Sequence, residues 1–161
     1  MDFHQKTALI TGAAVGIGRA VALLMAERGA NLILADIDGE KLNVLKEELK
    51  AYQCDALTFV CDVTNESQVN EVVNEATAHF GRIDILVNNA ALWRMHKPFL
   101  ETTNEDWRRY YEVNVMGPVS FIRATLGGML ERGYGRIINV ASVAGVYGNA
   151  GMVNYSATKG A

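Results

Sequence analysis

The sequence predicts a doubly wound α/β fold, a parallel sheet with helices on both faces. Three observations carry that expectation. Short apolar runs alternate with helical patterns from one end of the chain to the other. Those runs are continuous rather than alternating, which marks strands buried on both faces. The first run leads straight into a glycine-rich turn, Thr11-Gly12-Ala13-Ala14-Val15-Gly16-Ile17-Gly18. A βαβαβ succession of this kind folds with right-handed crossovers.

Thr7–Ile10 reads as the first strand, and a helix follows from about Gly16 to Glu27, stopped at Gly29. Asn31–Ala35 is the second strand, followed by a charged amphipathic helix from about Glu40 to Ala51. After the third strand, Ala56–Val60, Asn65 with Gln68 forms a capping-box pattern that opens a helix ending near Gly81. Ile83–Val87 is the fourth strand. Thr102 with Glu105 gives a second capping-box pattern, opening a long helix through Trp107, Tyr111 and Val115 to about Leu130. Arg136–Val140 is the fifth strand, and a last helix begins near Val153.

Bulk properties narrow the function classes. The 161 residues are enough for one domain with a real core, and 50% apolar with 20% charged content is that of a globular protein. A net charge of −3 implies no general attraction to nucleic acid or to an anionic membrane. No apolar run reaches membrane-spanning length, and the first residues lack an apolar signal core. Cys54 and Cys61 make neither a disulfide framework nor a zinc-ligand spacing, so a reduced cytoplasmic setting without a metal is expected.

Gly12, Gly16, Ile17 and Gly18 fall in the first strand-to-helix turn. Glycine there allows a tight turn and close approach of a pyrophosphate to a helix N-terminus. An ordinary tight turn is the lesser alternative for the triplet. Asp36 ends the second strand, where an acidic side chain can accept hydrogen bonds from adenosine ribose hydroxyls and repels a 2′-phosphate. Neither Val15 nor Ile37, the positions able to supply a rescuing cation, is basic, so NAD is expected over NADP. Asp38 reads as a solvated strand-end carboxylate. Asp62-Val63 can present a carboxylate to adenine, and Asn88-Asn89-Ala90 amides to the ribose and the floor of the site; each is equally a polar strand exit.

Near the C-terminus, Tyr155 and Lys159 are four residues apart, with Ser142 upstream. On a helix that spacing puts both on one face, about 6 Å apart along the axis. An ammonium beside a phenol stabilises the phenolate, giving a proton donor and acceptor usable near neutral pH. Pro118 lies four residues after Asn114 and has no N–H, so the Asn114 carbonyl loses its helical donor. A functional water site and a simple bend are both compatible with that. His4, His79 and His96 fit no motif and read as surface residues.

Together these residues resemble the short-chain dehydrogenase/reductase family, in the group with the 3-oxoacyl-acyl-carrier-protein reductases. The match runs in family order from the glycine turn through Asp36, Asp62, Asn88-Asn89-Ala90, Asn114 and Ser142 to Tyr155 and Lys159; Ala91 stands where the family often has glycine. The resemblance implies a single NAD-binding Rossmann-like domain over residues 1–161, ending inside the helix that carries Tyr155 and Lys159. It implies an NAD-dependent oxidoreductase interconverting an alcohol and a ketone or aldehyde. Tyr155 is then the general acid/base, Ser142 binds the substrate oxygen, Lys159 serves the nicotinamide ribose and Tyr155, and Asn114 helps hold a proton-relay water. Cofactor contacts fall to Gly12, Gly16, Ile17, Gly18, Asp36, Asp62, Val63, Asn89, Ala90, Tyr155 and Lys159.

The family also implies a longer parent, so the fold is expected to be incomplete at the C-terminus, with an exposed apolar edge at Arg136–Val140. The parent is expected to be a homodimer or homotetramer acting on a small alcohol or carbonyl compound. A truncated, non-catalytic nucleotide-binding fragment is the alternative, and a 3-oxoacyl-acyl-carrier-protein is the alternative substrate. The loop Ala91–Phe99 offers Trp93 and Met95 as apolar walls, with Arg94, His96 and Lys97 to meet an anion or simply solvent. Gly145–Gly151 resembles the acyl-carrier reductases.

Overall fold

A computed structural model describes residues 3–93 and 96–161. The apolar runs become one parallel sheet: β1 (Thr7–Thr11), β2 (Asn31–Asp36), β3 (Ala56–Val60), β4 (Ile85–Asn88) and β5 (Arg136–Asn139). Its order is β3-β2-β1-β4-β5. The helices are α1 (Gly16–Glu27), α2 (Gly39–Leu49), α3 (Glu66–Phe80), α4 (Asn104–Tyr111), α5 (Gly117–Glu131), α6 (Ala144–Tyr147) and α7 (Val153–Lys159). Among the described residues, no helix is long and apolar enough to cross a membrane.

Strand alternation divides the core into two layers. Ala8, Ile10, Leu32, Leu34, Ile85 and Val87 pack with Ala22, Met25, Leu42 and Leu45 of α1 and α2. Leu9, Ile33, Ala35 and Leu86 pack on the other face with Val69, Val73, Phe121 and Met129 of α3 and α5. Burial on both faces is why these strands read as continuous apolar runs. The chain moves outward from β1 through β2 to β3, then returns to lay β4 on the other side of β1. That reversal opens a crevice at the carboxyl ends of β1 and β4, the usual ligand position in such sheets. At the opposite end, buried Asp84 accepts the Thr7 N–H at 3.0 Å and the Arg82 Nε–H at 2.8 Å, anchoring the start of β4 against β1.

Several local expectations are corrected. Asn65 does cap α3, accepting from Ser67 N and Gln68 N, but no reciprocal box forms: the Gln68 side chain takes the Asp62 N–H at 2.8 Å instead. The second box exists one residue later than read, between Thr103 and Asp106. Thr102 instead receives the Trp107 indole N–H at 3.2 Å. Asp38 is no idle carboxylate; it caps α2 by accepting the Lys41 N–H at 3.0 Å. Ile83 and Asp84 precede β4 rather than belong to it. The long helix is interrupted by a π-helical turn, Glu112–Met116, where the Gly117 N–H donates to the Glu112 carbonyl. Pro118 follows at once and offers no N–H, so the widened turn absorbs a gap in the helical ladder.

Candidate functional site

The glycine turn is shaped by two different constraints. Gly12 and Gly16 have φ of +62° and +57°, a region that side chains disfavour. Gly18 is required for space: a Cβ there would lie 2.6 Å from Asn89 Nδ2 and closer still to the Gly12 carbonyl oxygen. Asn89 faces this turn. Its Nδ2 donates to the Thr11 and Gly12 carbonyls at 3.0 and 2.9 Å. The Thr11 hydroxyl oxygen accepts the Asn89 and Ala90 N–H groups, both at 3.1 Å. The end of β4 is thus clasped to the end of β1. Asn88 turns the other way and donates to Asn139 Oδ1 at 2.9 Å, joining β4 to β5.

No side chain caps α1, whose N-cap residue is Val15, and its first turn holds no acid. Its leading N–H groups, with the positive end of the helix dipole, therefore face the crevice without an internal anion. Val15, Ile17 and Ile37 are exposed around it. Asp36 reaches across from β2: one carboxylate oxygen accepts the Ala14 N–H at 2.9 Å and the other the Asp38 N–H at 3.0 Å. Asp62, past β3, accepts from the Thr64 N–H at 2.9 Å and its hydroxyl at 2.8 Å. Val63 is buried against Gly117, at the junction of the π turn and α5.

The other group gathers beyond β5. Ser142 Oγ accepts the Ala144 N–H at 3.2 Å, starting α6, a four-residue helix that the sequence pattern did not reveal. A Cβ on Gly145 would come within 2.7 Å of Gly160 N, so α6 lies directly on the end of α7. Tyr155 and Lys159 sit half-buried on α7. The Lys159 ammonium donates to the Val140 carbonyl at 2.6 Å, and burial pushes its pKa below the ordinary lysine value. Asn114 is buried in the π turn; its amide exchanges hydrogen bonds with Leu92 N and O at 2.7 and 3.0 Å and donates to Thr158 Oγ1 at 2.9 Å.

The loop after β4 is strapped down at Lys97. Its ammonium pairs with Asp106 at 2.9 Å, and its N–H donates to the Gly151 carbonyl at 2.8 Å. Lys97 is thus paired with a carboxylate of this chain, neither simply solvated nor free for an outside anion. Trp93 is exposed; Arg94 and Met95 lie outside the described residues. His4, His79 and His96 are exposed, as the sequence suggested, with His79 paired to Asp55 at 2.6 Å. The sequence reading quoted Thr11 only as the start of the glycine turn and gave no role to Asp106 or Thr158. Of the last two, Thr158 carried a usable signal, being a hydroxyl between Tyr155 and Lys159.

A family model described as short chain dehydrogenase matches residues 6–161. The 3-oxoacyl-[acyl-carrier-protein] reductase of Thermotoga maritima is 40% identical over 159 residues, 99% of this chain and 64% of the reductase. The (2S)-[(R)-hydroxy(phenyl)methyl]succinyl-CoA dehydrogenase subunit of Thauera aromatica is 39% identical, over 99% of this chain and 63% of its own length. Among solved structures, NAD+-bound xylitol dehydrogenase superposes with a TM-score of 0.95 at 36% identity, covering 99% of this chain and 62% of that one. The chain therefore spans a little under two thirds of these relatives.

Proposed function

The chain belongs to the short-chain dehydrogenase family, and on that premise we propose that it carries the NAD site and proton-transfer groups of an oxidoreductase interconverting an alcohol and a ketone or aldehyde. The observation that carries this reading is the meeting of two independent groups at one end of the sheet. One is an uncapped α1 behind a turn with no room for a Cβ at Gly18; the other is Ser142, Tyr155 and Lys159 around α6 and α7.

The residues present fit a dinucleotide. Gly12, Gly16, Ile17 and Gly18 would hold its diphosphate at the start of α1, with Asn89 and Ala90 bracing that turn. Asp36 would take the adenosine ribose, Asp62 and Val63 the adenine, and Lys159 with Tyr155 the nicotinamide ribose. Asp36 opposes a 2′-phosphate by charge, and Val15 and Ile37 beside it are not basic, which supports NAD. The NAD+-bound xylitol dehydrogenase relative agrees. When bound, the nicotinamide supplies hydride exchange with the substrate carbon.

This chain's own residues handle the proton and the substrate oxygen. Tyr155 takes the alcohol proton in oxidation and returns it in reduction. Ser142 Oγ accepts the Ala144 N–H with one lone pair, and its hydroxyl proton would donate to the substrate oxygen. Lys159, held at Val140, brings a positive charge to the same helix face as Tyr155. The substrate is an alcohol and its carbonyl partner. A 3-oxoacyl group on a carrier protein is the narrower second reading, favoured by the Thermotoga maritima reductase at 40% identity and by the Gly145–Gly151 segment.

The test is turnover of an alcohol panel with NAD, alongside NAD affinity by calorimetry, for the full-length protein and for Tyr155→Phe. Wild type should bind NAD and turn over. Tyr155→Phe should lose roughly 10²-fold or more in kcat with NAD affinity within a few-fold. Wild-type kcat in the variant would overturn the acid/base assignment, and failure of wild type to bind NAD would overturn the function.

A further inference from the structure

Thr158 is 6% exposed, faces Asn114, and its hydroxyl is used twice. Its oxygen accepts from Asn114 Nδ2 at 2.9 Å, and its proton goes to the Tyr155 carbonyl at 3.0 Å. Asn114 has two amide protons and one carbonyl oxygen. One proton and the oxygen engage Leu92 O and N, and the second proton goes to Thr158. The chain of bonds thus runs from Leu92, in the loop after β4, through the π turn to the backbone of the residue proposed as acid/base.

The rotation of α7 (Val153–Lys159) against the sheet is set by side-chain hydrogen bonds to its neighbours. On one side Lys159 Nζ ties it to Val140 at the end of β5. Thr158, the adjacent residue, points about 100° away around the helix and ties it to the π turn. Two tethers in different directions fix rotation about the helix axis. Rotation is the motion that would carry both Tyr155 and Lys159 off target, since each projects several ångströms from that axis. Misplacement by about 1 Å at a reacting group can cost on the order of 10²-fold in rate.

We infer that Thr158 is a positioning residue which, through Asn114, sets the rotation of α7 and couples it to the loop at Leu92. This deepens the oxidoreductase reading and rests on it. A hydroxyl is required because one atom must both accept and donate. Serine can do this, whereas valine, of matching shape, can do neither.

The experiment compares wild type, Thr158→Val and Thr158→Ser in the full-length protein, by kinetics and by hydrogen exchange at the Leu92 amide. Thr158→Val should lower kcat roughly 10- to 100-fold, leave KM for NAD within about twofold, and displace the pH profile of kcat. It should also speed Leu92 exchange while the amides of Leu9 and Ile33 keep their protection. Thr158→Ser should restore all three. A valine variant with wild-type kcat and pH profile, unchanged Leu92 exchange, or a serine variant no better than valine would each overturn the inference. A wild type that neither binds NAD nor turns over would defeat the oxidoreductase reading separately; exchange at Leu92 still decides the coupling in that case.

Discussion

Substituting Gly18 by alanine should cost more stability than substituting Gly16, although both lie in one turn. At Gly18 the added methyl would sit 2.6 Å from Asn89 Nδ2 and nearer still to the Gly12 carbonyl oxygen. Those two atoms are themselves hydrogen-bonded at 2.9 Å, so neither can retreat without breaking the clasp between β1 and β4. Overpacking of this kind costs about 1–3 kcal/mol, and a lost hydrogen bond adds about 1 kcal/mol. At Gly16 nothing lies within 4 Å of the added methyl, and φ of +57° alone is unfavourable. That costs about 1–2 kcal/mol. With about 2–4 °C per kcal/mol for a domain of this size, Gly18→Ala should lower Tm by roughly 4–16 °C and Gly16→Ala by roughly 2–8 °C. Thermal unfolding monitored by circular dichroism, with NAD titration of each variant, is the assay. Gly18→Ala should also lose more NAD affinity, because it moves the turn itself. Equal losses, or a Gly16→Ala variant less stable than Gly18→Ala, would refute the packing argument.

Other predictions address charge. Asp36→Ala with Ile37→Arg should shift the ratio of kcat/KM for the two cofactors towards NADP; a wild type already preferring NADP would sink the argument first. Asp106 is held down to about 2, first by the Thr103 N–H and then by Lys97. Its folded pKa lies below the unfolded value, so its stabilisation is complete above about pH 4 and fades as pH falls towards 2. The Tm gap between wild type and Asp106→Ala should therefore close across that acid window, and a gap independent of pH would count against it. Lys159 has a pKa lowered by burial, so the unfolded chain holds its proton to higher pH. Relative to Lys159→Met, wild-type stability should rise with pH between the lowered value and about 10.4; a flat difference would deny the burial penalty.

Most of the architecture was legible because β1, β2 and β4 are built on apolar runs of three or four residues and each long helix has a recognisable stop or start. What escaped the sequence depended on partners distant along the chain. Thr102-x-x-Glu105 and Thr103-x-x-Asp106 satisfy the same capping pattern, and the choice falls to the second because Lys97 also binds Asp106 while Trp107 occupies Thr102. Gln68 matched a box, yet Asp62 N offered its side chain a better donor. Pro118 announced a missing donor, but apolar periodicity cannot register a single widened turn such as Glu112–Met116. At the site, the sequence showed that Asn89 has an amide without showing which way it faces. It faces the turn, bracing Thr11 and Gly12.

The Asn89 clasp also orders events during synthesis. The glycine turn and Asp36 are made early, with β1, α1 and β2. The amide that holds the Thr11 and Gly12 carbonyls arrives 77 to 78 residues later. Closing so long a loop is among the slower steps of folding a parallel sheet. A nascent chain that has displayed the complete glycine motif still lacks a finished cradle until β4 docks beside β1. Nucleotide capture would therefore report on arrival of the second half of the sheet rather than on folding of the first, and a bound cofactor would hold the two halves together like a pin through a hinge.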